Sequence, residues 1–329
     1  MKRVAFTSES SSNCQLIYGE KLLERLPESL KILDSGARKA LQIHPEDEYL
    51  MPGGEHIKSI DRVLEVYQVL RTSGRRAITV IGGGSLIDLV GYAASTHGEV
   101  NRLFLYPTTT VSQVMPPLSG FSINFEFVKN LLNSSGLPDR IYVDTELTYG
   151  TMFQIRRGEI FFPLLVAYSL DERLFKYILN HIVSGGEVTR ELWGDIIYSA
   201  SSAFVKSLGS SRMVVGCGVG DLIQSASRLR TEYSTALIYG AILELHIART
   251  SGLIDGAGKE DLYEALRVLG KPDRSIKIDV SSLVDLVNQK GGVKIALPSR
   301  SGESSHWVTA RDFETQVRDR PWMGFGSIL

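Results

Sequence analysis

Over the first half of the chain, short apolar runs alternate with stretches of helical periodicity. Over the second half, helical periodicity dominates. Gln15 to Tyr18 reads as a strand, Gly19 opens a helical pattern through Leu26, and Leu30 to Leu33 forms another strand ending at Asp34. A helix is expected up to about Arg71. Next comes the most distinctive stretch: a continuous apolar run, Ala77 to Ile81, that reads as a buried parallel strand. Gly82, Gly83 and Gly84 follow, then a helical pattern from about Ser85 to Ser95, then a strand from Leu103 to Tyr106 before Pro107. The segment 115–121, with Pro-Pro and then Gly, reads as a loop, and Ile141 to Val143 with Asp144 as a further strand end. From about Thr151 the pattern predicts helices over Glu159–Leu170, Asp171–Val183, Glu191–Val205, Asp221–Arg228, Ser234–Thr250, Lys259–Leu269 and Ser281–Val287, with a strand-like run at Val293 to Leu297. The prediction is an α/β domain over residues 1–150 with a Rossmann-like parallel sheet, then a helical domain over 151–329.

Composition changes this picture only by exclusion. The 329 residues are 43% hydrophobic and 22% charged, with a formal net charge of −1, so neither nucleic acid nor an anionic membrane is an expected partner. Apolar stretches are broken by charges before the roughly 18 residues that a span requires. The start, MKRVAFTSESSS, lacks the apolar core of a signal peptide. Cys14 and Cys217 have no metal-type spacing, so a cytoplasmic protein with free thiols is expected.

Candidate chemistry gathers around the glycines. A strand, a glycine turn and a helix N-terminus form a phosphate cradle, because glycine lets backbone approach a ligand and the helix start presents unpaired N–H groups. The turn is equally readable as a bare connection, since it is not a full G-x-G-x-x-G. Asp34, at a strand end, is placed either to accept from a ribose diol or to cap the next helix. Glu55 and Lys58, three apart at a helix start, read as a first-turn carboxylate and an ion pair.

Several segments in this order resemble the 3-dehydroquinate synthase family: GGEHIK (Gly53–Lys58), IGGGSLIDLVGYAAS (Ile81–Ser95), YPTTTVSQV (Tyr106–Val114), Lys129-Asn130 and QKGGVKIALPSRSG (Gln289–Gly302). The resemblance runs from about Gln15 to Gly302. It implies an NAD cofactor in a crevice between the two halves. Asp34 would sit at the adenine ribose and Glu55 and Lys58 on the cofactor. Gly83, Gly84 and Asp88 would surround the pyrophosphate, with Thr108, Thr109, Asp144 and Thr145 nearby. It also implies a lyase of the shikimate pathway in aromatic amino acid biosynthesis. Such an enzyme oxidises a seven-carbon sugar-acid phosphate transiently, expels phosphate and closes the ring, with a zinc ion polarising the oxidised carbon's oxygen.

The chain departs from that pattern where the metal and the substrate are held. The family's Glu ligand matches Glu159, but its two His ligands match Cys217 and Tyr233, a poor set for Zn²⁺. Asp221 stands in place of a further histidine. The Gly-Gly-Lys loop reads Ser119-Gly120-Phe121, and the lysine three residues after the Glu ligand reads Phe162. Ser210 and Val214 replace an Arg and an Asn. Lys129, Asn130 and Lys290 remain for a small anionic, phosphorylated ligand, with Arg212 or Lys206 in compensation. Three readings stand: an NAD-binding relative with altered or lost cyclase chemistry, a working synthase with an unusual site, and a non-catalytic subunit or regulator. Trp322, Met323, Phe325, Ile328 and Leu329 in the tail suit packing on their own domain or in a homodimer.

Overall fold

The computed structural model describes residues 2–7, 13–42, 48–150, 157–210, 212–255, 260–265, 280–298 and 304–318. The tail residues named above, like residues 259 and 266–269 of the predicted Lys259–Leu269 helix, lie outside this set. The strands are β1 (Lys2–Thr7), β2 (Asn13–Gly19), β3 (Leu30–Asp34), β4 (Glu48–Met51), β5 (Ala77–Gly82), β6 (Arg102–Pro107), β7 (Phe121–Phe125), β8 (Val128–Ser134), β9 (Arg140–Asp144), β10 (Gly292–Ala296) and β11 (Ser305–Thr309). The helices are α1 (Ser35–Leu41), α2 (Ile60–Ser73), α3 (Gly84–Thr96), α4 (Thr110–Val114), α5 (Thr145–Thr148), α6 (Phe161–Leu170), α7 (Glu172–Val183), α8 (Arg190–Ser207), α9 (Cys217–Ala226), α10 (Tyr233–Thr250), α11 (Val280–Lys290) and α12 (Ala310–Arg318). None is long and apolar enough to cross a membrane, among the described residues.

The chain divides into two units, Met1–Arg156 with Thr189–Val205, and Arg157–Val188 with Lys206–Leu329. In the first unit, β1-β2-β9-β6-β5-β3-β4 form one sheet. All neighbours are parallel except β1 and β2. Five residues of β5, Ile78 to Gly82, are buried, as a central strand covered on both faces requires. The expected boundary near 150 leaves out one segment, since most of α8 belongs to this first unit. Trp193 Nε1 donates to Thr148 Oγ1 at 3.0 Å, and Ser201 Oγ lies 2.8 Å from Tyr18 OH in a buried hydrogen bond. Helical periodicity shows that α8 is amphipathic but not which sheet its apolar face covers.

The second unit carries its own core. Leu222, Ile223, Leu243, Ile247, Leu283, Val287, Ile295 and Phe313 meet in one cluster drawn from α9, α10, α11, β10 and α12. The expected strand at Val293 to Leu297 is β10, and it pairs antiparallel with β11. This half is therefore helical with a two-stranded ribbon rather than purely helical.

Candidate cofactor site

The carboxyl ends of β3, β5, β6 and β9 bring together much of what the sequence singles out. The strand order reverses between β3 and β5, the kind of switch point where open parallel sheets bind ligands. Asp34 ends β3 and spans that point. Its Oδ1 accepts from Ala37 N at 2.6 Å as the cap of α1, and its Oδ2 accepts from Gly83 N at 3.1 Å. Of its two sequence readings, the cap is the one made within the chain. The three glycines differ in what surrounds them. A Cβ on Gly82 would meet Asp34 Oδ2 at 2.6 Å and Leu86 at 2.7 Å, and one on Gly83 would crowd Thr109 at 3.2 Å. A Cβ on Gly84 would meet nothing within 4 Å. Gly83 is the N-cap of α3 and offers no side-chain cap, so the helix start faces open space with its first N–H groups unclaimed by any side-chain cap. An uncapped helix start beside that space fits a cofactor pyrophosphate.

Thr108 N donates to Gly82 O at 3.0 Å, and Thr109 caps α4 by accepting from Ser112 N. Asp144 is committed to the chain. Its Oδ2 accepts from Leu22 N at 2.8 Å and from Tyr106 OH at 2.9 Å, and its Oδ1 accepts from Leu147 N at 3.3 Å as the cap of α5. Burial and the neighbouring Asp144 carboxylate push the Tyr106 phenol well above its ordinary range. Thr145 Oγ1 donates to Gly19 O at 3.4 Å.

A buried cluster of charges stands beside the glycine turn. Glu55, in the 3₁₀ turn Glu55–Ile57, accepts from Ser85 Oγ at 2.5 Å, from Asn124 Nδ2 at 2.9 Å and from Lys129 Nζ at 3.2 Å. Lys58, 3% exposed, donates to Asn130 Oδ1 and pairs with Asp88, each at 2.5 Å. Burial pushes the Glu55 carboxyl up, but Lys129, Lys58 and the hydrogen bonds from Asn124 and Ser85 outweigh it, so the group stays below the ordinary carboxylate range. Glu55, Lys58, Asp88, Lys129 and Asn130 thus form one assembly. Its two cations are matched by two carboxylates. The expected Glu55–Lys58 pair is instead two pairs, Lys58–Asp88 and Lys129–Glu55.

Lys129 and Asn130 arrive on a hairpin that the sequence does not announce. Glu126 and Phe127 form the turn between β7 and β8 with φ of 47° and 65°, without the Asn-Gly that usually marks such turns. A register shift between Ile123 and Phe125 then breaks the alternation. The position of the family's loop lysine is Phe121, wholly buried against α3. Its ring stands 2.3 Å from where a Cβ on Gly91 would be.

In the second unit, Tyr233 OH donates to Cys217 Sγ at 3.7 Å, which brings together the two positions where the resemblance implies histidine ligands. Glu159 lies in the 3₁₀ turn Arg157–Ile160, buried. A carboxylate, a thiol engaged by a phenol, and that phenol do not fit a zinc site. Among the described residues, no group of three His, Cys, Asp or Glu side chains is arranged to hold a metal. Phe162 is buried in α6, and Lys290 is exposed at the end of α11. The sequence reading also misses Glu244 in α10, fully buried. Its Oε2 accepts from Gly216 N at 3.0 Å and Ala296 N at 3.1 Å, and its Oε1 from Val219 N at 2.9 Å. A lone Glu in an apolar helical run, four and three residues after Gly240 and Ala241, was the available signal.

Residues 48–153 match the model of the 3-dehydroquinate synthase N-terminal family. The bifunctional shikimate kinase/3-dehydroquinate synthase of Thermotoga maritima is 35% identical over 108 residues, 32% of this chain and 22% of that one. The 3-dehydroquinate synthase of Thermococcus kodakarensis is 24% identical over 312 residues, 92% of this chain and 84% of that one. Among solved structures, ValA, the 2-epi-5-epi-valiolone synthase of Streptomyces hygroscopicus subsp. jinggangensis with NAD+ and Zn2+ bound, superposes with a TM-score of 0.73 at 20% identity, covering 92% of this chain and 95% of that one. That likeness establishes the shared fold. Fold, motif order and relatives agree in one likeness: residues 48–153 match the N-terminal model of the 3-dehydroquinate synthase family, and over most of its length the chain is similar to 3-dehydroquinate synthases.

Proposed function

We propose that this protein binds NAD at the glycine turn and no longer performs the cyclisation implied by its resemblance. The observation that carries this reading is the fate of the two lysine positions. Phe121 is 0% exposed and Phe162 is 3% exposed, so both positions belong to apolar cores and neither can offer a cation to a phosphate or carboxylate. The charges around Glu55 add no net positive field, because Lys58 and Lys129 are each matched by a carboxylate.

NAD, when bound, supplies a reversible hydride acceptor. The N–H groups at the start of α3 would hold its pyrophosphate, with Gly84 leaving room for close approach. Asp34 would keep the turn in place through Gly83 N. Glu55, held ionised, would accept from cofactor hydroxyls, and Lys58 and Asn130 would orient the same face. The donor set around Cys217 does not fit the zinc of the family. A small ligand less anionic than a seven-carbon sugar-acid phosphate, and a second copy of the chain, are the partners this reading expects.

Growth of a dehydroquinate-synthase-deficient bacterial strain tests the reading. The expected result is no growth without aromatic amino acids when this chain is expressed. Robust growth would favour the working synthase with an unusual site.

A further inference from the structure

Asn124 links the two chain segments that supply Glu55, Lys58 and Asn130 to the cluster. It is 4% exposed on β7, next to the irregularity that breaks the hairpin register. Its Nδ2 donates to Glu55 Oε1 at 2.9 Å, and its Oδ1 accepts from Asn130 N at 2.9 Å. Its own N–H donates to Lys58 O at 2.9 Å, and an isolated bridge links it to Ser59. Glu55 and Lys58 come from the segment before α2, while Asn130 comes from β8. Asn130 adopts φ of 55°, a left-handed conformation uncommon for a residue other than glycine, and the hydrogen bond from its N–H to Asn124 is made there. The amide thus uses both ends at once. The donor end aims the carboxylate, and the acceptor end fixes the strained backbone that turns Asn130 Oδ1 toward Lys58 Nζ.

We propose that Asn124 is a positioning residue for the cofactor, acting on NAD through Glu55, Lys58 and Asn130 without touching it. This rests on the NAD reading above. An aspartate at 124 keeps the acceptor for Asn130 N but replaces the donor with a carboxylate facing Glu55. An alanine removes both. If Asn124 only stitched the hairpin to the neighbouring segment, aspartate would behave like the parent. If it positions Glu55, aspartate is the worse of the two, since like charges at hydrogen-bond distance repel and raise the affinity of Glu55 for protons.

The test is titration of NADH by its fluorescence into the parent, Asn124→Ala, Asn124→Asp and Ser29→Ala, with thermal unfolding of each and binding repeated across pH. Ser29→Ala removes a buried side-chain hydrogen bond to Thr79 in the same unit, outside the cluster, and serves as the stability control. The expected dissociation constant for Asn124→Ala is about tenfold above the parent's, the net worth of the hydrogen bond to Glu55 alone, and higher still for Asn124→Asp. The acid limb of NADH binding moves to higher pH in both, because Glu55 loses a hydrogen bond that holds it ionised. Ser29→Ala binds as the parent does. Parental binding by both Asn124 variants, or equal weakening by Ser29→Ala at the same loss of melting temperature, would overturn the assignment while leaving the NAD reading intact. Failure of the parent itself to bind NADH would overturn both.

Discussion

Replacing Glu244 by glutamine tests how the second unit holds its central helix start. The parent carboxyl is fully buried and receives N–H groups from Gly216, Val219 and Ala296, so it ties the start of α9 and the edge of β10 to the middle of α10. Both oxygens of a carboxyl accept, whether or not it carries a proton. A glutamine offers one oxygen and one NH₂, and whichever way it turns, the NH₂ faces at least one backbone donor. One buried donor left unpaired costs about 1–3 kcal/mol. Burial pushes the Glu244 carboxyl up from 4.5 to about 7, against the backbone hydrogen bonds that favour its ionised form. With the folded value above the unfolded one, the folded state binds the extra proton between these pH values. The stability that Glu244 contributes is therefore full below about pH 4.5 and falls as pH rises toward 7, by about 3 kcal/mol over the window. Glutamine has no such dependence. Urea unfolding followed by circular dichroism at pH 5, 6, 7 and 8 should show Glu244→Gln less stable by about 2 kcal/mol at pH 5, with the gap closing as pH rises. A gap that widens with pH would refute the reasoning, because it would mean that the ionised carboxylate is the stabilised form.

Gly84→Val should abolish NADH binding with little change in melting temperature, since its Cβ enters open space where the cofactor is proposed to lie. Gly82→Ala should instead destabilise the fold by about 1–3 kcal/mol through its contacts with Asp34 and Leu86, read by urea unfolding. Phe121→Lys should not restore family chemistry. It places an ammonium in a fully buried site and should lower stability by several kcal/mol, which thermal unfolding would register. Elemental analysis of the purified protein should find less than stoichiometric zinc, and one tightly held zinc per chain, lost on Glu159→Ala, would contradict the reading of Cys217 and Tyr233.

The parts of this molecule that were legible in sequence are those whose pattern is local. The run Ala77–Ile81 announces a doubly covered strand, and the glycines after it announce a tight turn into a helix, as β5 and α3 bear out. Cys217 and Tyr233, sixteen positions apart, were paired by motif alignment and do meet. Four features were not legible. The β7–β8 hairpin lacks a glycine or asparagine in its turn and breaks its own alternation. α8 carries no mark of the sheet it covers. Asp144 looks like any strand-end carboxylate until Leu22 N and Tyr106 OH are seen on it. The charge balance around Glu55 was also hidden, because Lys129 and Glu55 lie 74 positions apart and their pairing depends on that same hairpin.

On the proposed reading NAD binds while the cyclisation does not occur. The most direct test is release of inorganic phosphate from the seven-carbon sugar-acid phosphate by protein already saturated with NAD, with bound cofactor quantified in the same sample. About one NAD per chain is expected, with phosphate release no faster than from a denatured control. Sustained release of phosphate with formation of 3-dehydroquinate would contradict that reading.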